Sequence, residues 1–236
     1  MAYLHRTSAL VQQCVHPLCQ AFVMVFAMLL QQCCGDVRAV VVQAETVLKL
    51  GQQHALPLFE ALRLAFRAWV LTVQQQTATG IAYIRQGMAA YRATDAEVSR
   101  PYLLGLLPAA YGHHRRADLG LEVLAEVHAT GERFYEAKLP RLQGELLLHV
   151  EGGVQYAAVT AEACFQQALQ MARAQQAKVL ALRAAMRLSR LWQRQGKPGP
   201  AQRLPGDVYD WFTEGFESRD RQEARDLLDA IGSHGV

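Results

Sequence analysis

Four arginines, Arg183, Arg187, Arg190 and Arg194, recur at i, i+4, i+7 and i+11, which sets four guanidinium groups along one side of a helix. Planar guanidinium forks match carboxylates two hydrogen bonds at a time, so such a stripe suits an acidic peptide or the carboxylates of a partner protein. It also reads as an ordinary solvated helix face, since Leu182, Ala185, Met186, Ser189 and Trp192 supply a buried side regardless. Arg63 with Arg67, and Arg141 with Glu145, repeat the idea more sparsely. Glu145 and His149, one turn apart, have spacing for a metal or for acid-base work, but no third ligand or nucleophile follows at a telling distance, and a surface pair is the plainer reading. Trp192, Trp211, Phe212 and Phe216 read as an aromatic platform or, more simply, as core packing near the end of the chain. The sequence Gly196-Lys197-Pro198-Gly199 lacks the glycine spacing and the hydroxyl residue of a phosphate-binding loop. No catalytic constellation emerges, so the expectation is a non-enzymatic chain with no cofactor and no metal.

Composition narrows the setting. The 236 residues are 51% hydrophobic and 19% charged, enough to bury a sizeable core. A formal charge of +3 is too small to imply nucleic acid as a partner, and the cluster His113-His114-Arg115-Arg116 falls between two expected helices as a solvated turn. The cysteines, Cys14, Cys19, Cys33, Cys34 and Cys164, show no paired CxxC spacing, which argues against structural zinc and a disulfide framework and fits a reducing cytoplasm. The adjacent Cys33 and Cys34 read as packing residues at a helix end. Ala21 to Leu30 is the most apolar run, roughly half the length needed to cross a bilayer, and reads as a buried helix; neither a membrane partner nor a cleaved leader is expected.

The elements that must position these residues are helices. Five sets of residues recur about every 40 positions at i, i+4, i+7: Val40, Ala44 and Val47; Gly80, Ile84 and Gly87; Gly120, Leu124 and Val127; Ala161, Phe165 and Ala168; Ala201, Pro205 and Val208. Each set forms one stripe, and its small members let a partner helix approach closely, as stacked helix pairs require. The spacing predicts an all-α fold with pairs over 17–34 and 36–52, 56–74 and 77–94, 100–114 and 117–130, 135–150 and 157–175, and 178–195 and 198–216. A last helix over 219–231 would cap the stack with Leu227, Leu228 and Ile231 inward. Residues 1–15 are left without assignment, 16–231 form the repeat domain and 232–236 a tail. Pro101 suits a helix start, Gly131 a helix end, and Glu151-Gly152-Gly153 a loop. Pro140 and Pro205 fall inside expected helices, where each should kink or split its segment.

Within this frame, Ala161-Glu162-Ala163-Cys164-Phe165-Gln166-Gln167-Ala168 reads as the second helix of a tetratricopeptide-like repeat, longer than the usual period. More specifically, Gly131-Glu132-Arg133-Phe134-Tyr135-Glu136-Ala137, Leu146-Leu147-Leu148, Leu182 to Met186, Leu191 to Gly196, and Trp211-Phe212-Thr213-Glu214-Gly215-Phe216 resemble one family. It is the C-terminal tetratricopeptide region of bacterial multidomain proteins that join a class III adenylate/guanylate cyclase domain to a predicted ATPase. The likeness runs from about Gly80 to Ile231 and more weakly back to His16; Leu10 to Gln13 has no clear counterpart. It implies a right-handed superhelix of antiparallel pairs whose first helices line a concave groove for a protein or peptide. It also implies a role in signal transmission, with upstream cyclase and ATPase domains as possible partners in a longer product. The alternative function is small-molecule sensing, as in the helical-repeat regions of maltotriose-responsive transcription activators.

Overall fold

The computed structural model describes residues 16–129, 137–150, 154–213 and 218–233. The described residues are helical throughout their regular structure, with no strand among them. In chain order the helices are α1 (Pro17–Cys34), α2 (Val37–Gln53), α3 (Pro57–Val73), α4 (Thr77–Arg92), α5 (Arg100–Leu104), α6 (Leu107–His113), α7 (Ala117–Ala129), α8 (Lys138–Leu147), α9 (Val154–Ala174), α10 (Lys178–Arg194), α11 (Pro198–Tyr209) and α12 (Arg219–Ser233). The chain divides into two compact units, Met1–His114 and Arg115–Val236. Within each, consecutive helices pack in succession, and first members of neighbouring pairs also touch: α1 with α3, α8 with α10, and α10 with α12. This is the packing of a helical repeat. Gly131, Glu151-Gly152-Gly153, the unassigned segment 1–15 and the Glu214-Gly215-Phe216 end of the aromatic motif lie outside the described residues.

All five i, i+4, i+7 stripes are buried. At Gly80 the reason for a small residue is direct: a Cβ there would sit 2.7 Å from Thr72 Oγ1 and 3.0 Å from the Ala68 carbonyl. At Gly144, on α8, a Cβ would lie 2.6 Å from the ring of Phe165, so the phenyl group fills the space the glycine leaves. The core of the first unit gathers Met28, Phe59, Phe66, Ile84, Leu103 and Leu104. In the second, Phe165 packs with Ala161, Leu188 and Leu191, and a larger cluster forms around Leu182, Ala185, Val208, Ala224 and Ile231.

The turns reveal a half-period. Left-handed residues stand at Gly35, Ala55, Gln75, Asp95 and Arg115, each 20 positions after the last, and again at Gln176 and Gly196. Only two are glycines, and the left-handed region costs other residues about 1 kcal/mol. The cost is offset by a six-to-one turn bond that closes most of these helix ends: the N–H of Asp36 reaches Gln31 O at 2.9 Å, Gln76 reaches Leu71 O at 2.8 Å, Ala177 reaches Ala172 O at 2.8 Å and Lys197 reaches Trp192 O at 2.9 Å.

The prolines act otherwise than expected. Pro140 is the third residue of α8, in a first turn where a missing N–H has no intrahelical partner to lose, so α8 begins at Lys138 and is not broken by it. The break falls instead in the third pair, where the helix expected over 100–114 is divided into α5 and α6. Pro108 cannot donate to the Leu104 carbonyl, and Leu104 is where α5 ends. Pro205 stays inside a continuous α11, which ends at Tyr209 rather than Phe216. Its ring removes the donor that would serve the Ala201 carbonyl, and that carbonyl accepts the Ser189 hydroxyl from α10 at 2.5 Å, with Ser189 and Ala201 both fully buried. Ser189→Ala is therefore expected to cost about 1–3 kcal/mol through the orphaned carbonyl. Pro205→Ala, added to it, should recover most of the loss, so urea unfolding of the four members of this cycle checks the compensation; additive losses would refute it.

Helix α1 also departs from the buried helix expected for Ala21 to Leu30. Ala21, Val25, Ala27 and Met28 face inward, while Leu18, Phe22, Phe26 and Leu30 are exposed. Cys33 and Cys34 at its end are exposed rather than packed. By length and composition α1 is long and apolar enough to cross a membrane, the one such helix among the described residues. The turn His113 to Arg116 is exposed, as its charge suggested.

Candidate arginine face of the second unit

Helices α8, α10 and α12 bring the charged residues together, because the apolar sides of all three face the core and the i, i+4, i+7 arginines of α10 are left on the line where the helices meet. Glu145 is the hub. Its Oε1 accepts Arg187 Nε from α10 at 2.6 Å and also Arg141 Nη1 from its own helix. Arg141 is nearly inaccessible to solvent, and the Glu145 side chain is 22% exposed. On the other flank Arg183 grips Asp220 of α12 through two bonds, Nε to Oδ1 at 2.7 Å and Nη2 to Oδ2 at 2.8 Å. Arg219 bonds Glu223 at 2.8 Å along the outer edge of α12.

Electrostatics follow from this geometry. Burial by itself would raise the Glu145 carboxyl, but Arg141 and Arg187 outweigh it and hold the group below the usual glutamate range. Burial lowers Arg141, and Glu145 works against that loss. Arg190 is lowered too, first by its partial burial and then by the neighbouring charge of Arg187, with Glu223 and Glu145 opposing. Glu145 is thus no surface partner of His149. His149 is exposed, and its Nδ1 lies 2.7 Å from the Glu145 backbone carbonyl.

The expected arginine stripe is therefore real as a helix face but divided in its work. Arg183 and Arg187 are committed to carboxylates on adjacent helices, which ties successive repeats together. Arg190, half-buried, and Arg194, exposed, make no hydrogen bond or ion pair with the described residues. Arg63 and Arg67 lie on α3 in the first unit. There Arg63 is lowered by burial and by Arg67, and the Arg67 guanidinium sits 5.1 Å over the Tyr83 ring.

Sequence reasoning missed Asp220 and Glu223. Their acidic character was visible, but only folding brings Asp220, 37 positions from Arg183, within bonding distance of it, while Glu223 bonds Arg219 one turn away on the same helix. Of the aromatic residues, Trp192, Trp211 and Phe212 pack, as the simpler reading held for them, and Phe216 lies outside the described residues. Trp192 leans on the Phe165 cluster and donates its Nε1–H to Glu162 at 2.8 Å, and Trp211 and Phe212 lie against the terminal cluster. Burial raises the Glu162 carboxyl, and bonds from Trp192, Gln195 and Lys197 bring it below its ordinary value. Lys178 reaches the Trp211 carbonyl at 2.9 Å and stands over its ring, tying α10 to the segment after α11.

No group of three or more His, Cys, Asp and Glu with metal-binding geometry occurs among the described residues. A depression of about 320 Å³ lined by Arg173, Gln176, Asp207, Val208 and Trp211 is open to solvent and separate from the arginine face. No family model matches the chain, and no curated protein matches it.

Proposed function

We propose that this chain is a non-catalytic tetratricopeptide-like repeat module that binds an acidic segment of a partner protein at Arg190 and Arg194. One observation carries the reading. Arg190 is partly stripped of water, flanked by Arg187 and Arg194, and holds no carboxylate of its own, whereas Arg183 and Arg187 beside it are paired. A desolvated guanidinium gains most from an incoming carboxylate, since that ligand replaces water already lost. The likeness of the repeat and of the Trp211-Phe212 motif to the tails of cyclase/ATPase signalling proteins supports a regulatory role, with those domains upstream in a longer product as candidate partners.

The test is fluorescence anisotropy with a labelled octaglutamate peptide. Arg190→Glu/Arg194→Glu should weaken binding by about tenfold or more, near 1.4 kcal/mol, with helicity unchanged. Added salt should weaken binding to the unaltered chain. Equal affinity of the two proteins, or no binding by either, would refute the assignment. Arg183 and Arg187 are poor positions for this test, because reversing them breaks bonds between helices as well as the face.

A further inference from the structure

Arg190 lies within reach of a carboxylate of its own chain that is engaged elsewhere. The two-bond grip of Arg183 on Asp220 pins the start of α12 against α10, and Ala224 and Leu227 of α12 pack into the core beside Leu182 and Ala185. Glu223 stands three residues beyond Asp220, half-buried at the margin of that contact. The Arg190 side chain leans back over the preceding turn, as helical side chains do, and this carries its guanidinium toward the same level. Of the two carboxylates that oppose the lowering of Arg190, Glu223 is the stronger and Glu145 the weaker. The Glu223 carboxylate is nevertheless bonded to Arg219, at 2.8 Å. That pair is open to water, with side chains 60% and 39% exposed, and an i, i+4 ion pair on a wet helix surface is weakly held. The other acidic groups of the face lack this freedom, since Glu145 accepts two arginines and Asp220 is held by two bonds.

Building on the reading of Arg190 as the place where an acidic segment binds, we propose that Glu223 is a built-in competitor for that place and that Arg219 keeps it open by holding Glu223 aside. The two arrangements differ by a rotation of the Glu223 side chain. With Glu223 on Arg219, the Arg190 guanidinium meets an incoming carboxylate directly. With Glu223 on Arg190, the ligand must first displace it, and apparent affinity falls in proportion to the time the place is filled. The device also selects the ligand. A lone carboxylate offers Arg190 no more than Glu223 does and lacks the advantage of being tethered beside it. A run of acidic residues engages Arg194 at the same time, so the site favours a segment with at least two carboxylates over a single one.

Two measurements on the full chain decide the matter. In the ligand-free protein, nitrogen-15 NMR follows exchange of the Arg190 Nε–H with water. Arg219→Gln should slow this exchange by about threefold or more, as Glu223 transfers to Arg190, and adding Glu223→Gln should restore the fast exchange. In fluorescence anisotropy with labelled octaglutamate, Arg219→Gln should weaken binding by about fivefold and Glu223→Gln should tighten it by about threefold. Circular dichroism and melting should stay unchanged in all three variants, since the pair lies on the outer edge of α12. An Arg190 signal that Arg219→Gln leaves unaltered, or a Glu223→Gln protein that binds the peptide no more tightly, would overturn the competitor while leaving Arg190 as the binding site. Failure of the unaltered chain to bind octaglutamate would remove the site itself, and the competitor with it, whatever the NMR shows.

Discussion

Replacing Glu145 by alanine is expected to cost about 3–5 kcal/mol, enough to unfold a marginal unit at room temperature. The loss comes less from the attraction removed than from what remains. Arg141 is buried, and without Glu145 its guanidinium keeps a full charge with neither water nor a carboxylate at hand. Arg187 loses the bond that ties α10 to α8. Replacing both members of the intrahelical pair, Arg141→Met with Glu145→Leu, should cost far less than the single alanine, because no uncompensated charge is left. Urea unfolding followed at 222 nm measures both.

The same carboxylate gives a signed pH dependence. Its folded value lies below the usual one, so its contribution is fully present above the unfolded value of about 4.3 and is lost as pH falls through the folded value. The unaltered chain should therefore weaken on acidification below about pH 4.5, and Glu145→Gln should show a shallower decline over that window. An identical acid limb in the two proteins would mean that Glu145 is not the group responsible.

Arg221→Ala should be the other severe change, at about 2–4 kcal/mol. Arg221 is the largest fully buried side chain among the described residues, 2% exposed on the inner side of α12. Its guanidinium lies 4.2 Å over the Tyr209 ring and 5.3 Å over Phe212, so it stitches the last helix to the end of α11 and the segment beyond. Truncation opens a cavity and removes both ring contacts, which should release α12 first. Hydrogen exchange checks this: amides of α12 should lose protection at lower denaturant than those of α10. Uniform loss across the second unit would show that α12 does not open separately. Arg221→Lys should recover only part of the stability, since a compact ammonium cannot stack flat between the rings.

Much of the architecture was legible in the sequence because helix periodicity is local. The five stripes from Val40 to Val208 marked the buried faces, and all are buried, since a residue's place on a helix is set by its own few neighbours. The turns were less legible. Gly35 and Gly196 were conspicuous, but Ala55, Gln75 and Gln176 adopt the same left-handed geometry without any special residue, held by turn bonds that depend on the helix already being there. Proline by itself was misleading, because its cost depends on position. Pro140 sits in a first turn, Pro108 divides a helix, and Pro205 is tolerated because Ser189 reaches across from another helix.

For the charged face the division is sharper. The arginine spacing on α10 was fixed by sequence alone, as was the alignment of side chains along one side. Which of those arginines are committed and which are available was decided by tertiary structure. Asp220 and Glu145 come from helices far along the chain, and only packing brings their carboxylates to Arg183 and Arg187 while leaving Arg190 and Arg194 without one. Helix α1 follows the same rule: Phe26 and Phe66 are the same residue at the same helical position, and Phe66 is core because α1 and α2 pack against α3, while Phe26 is exposed.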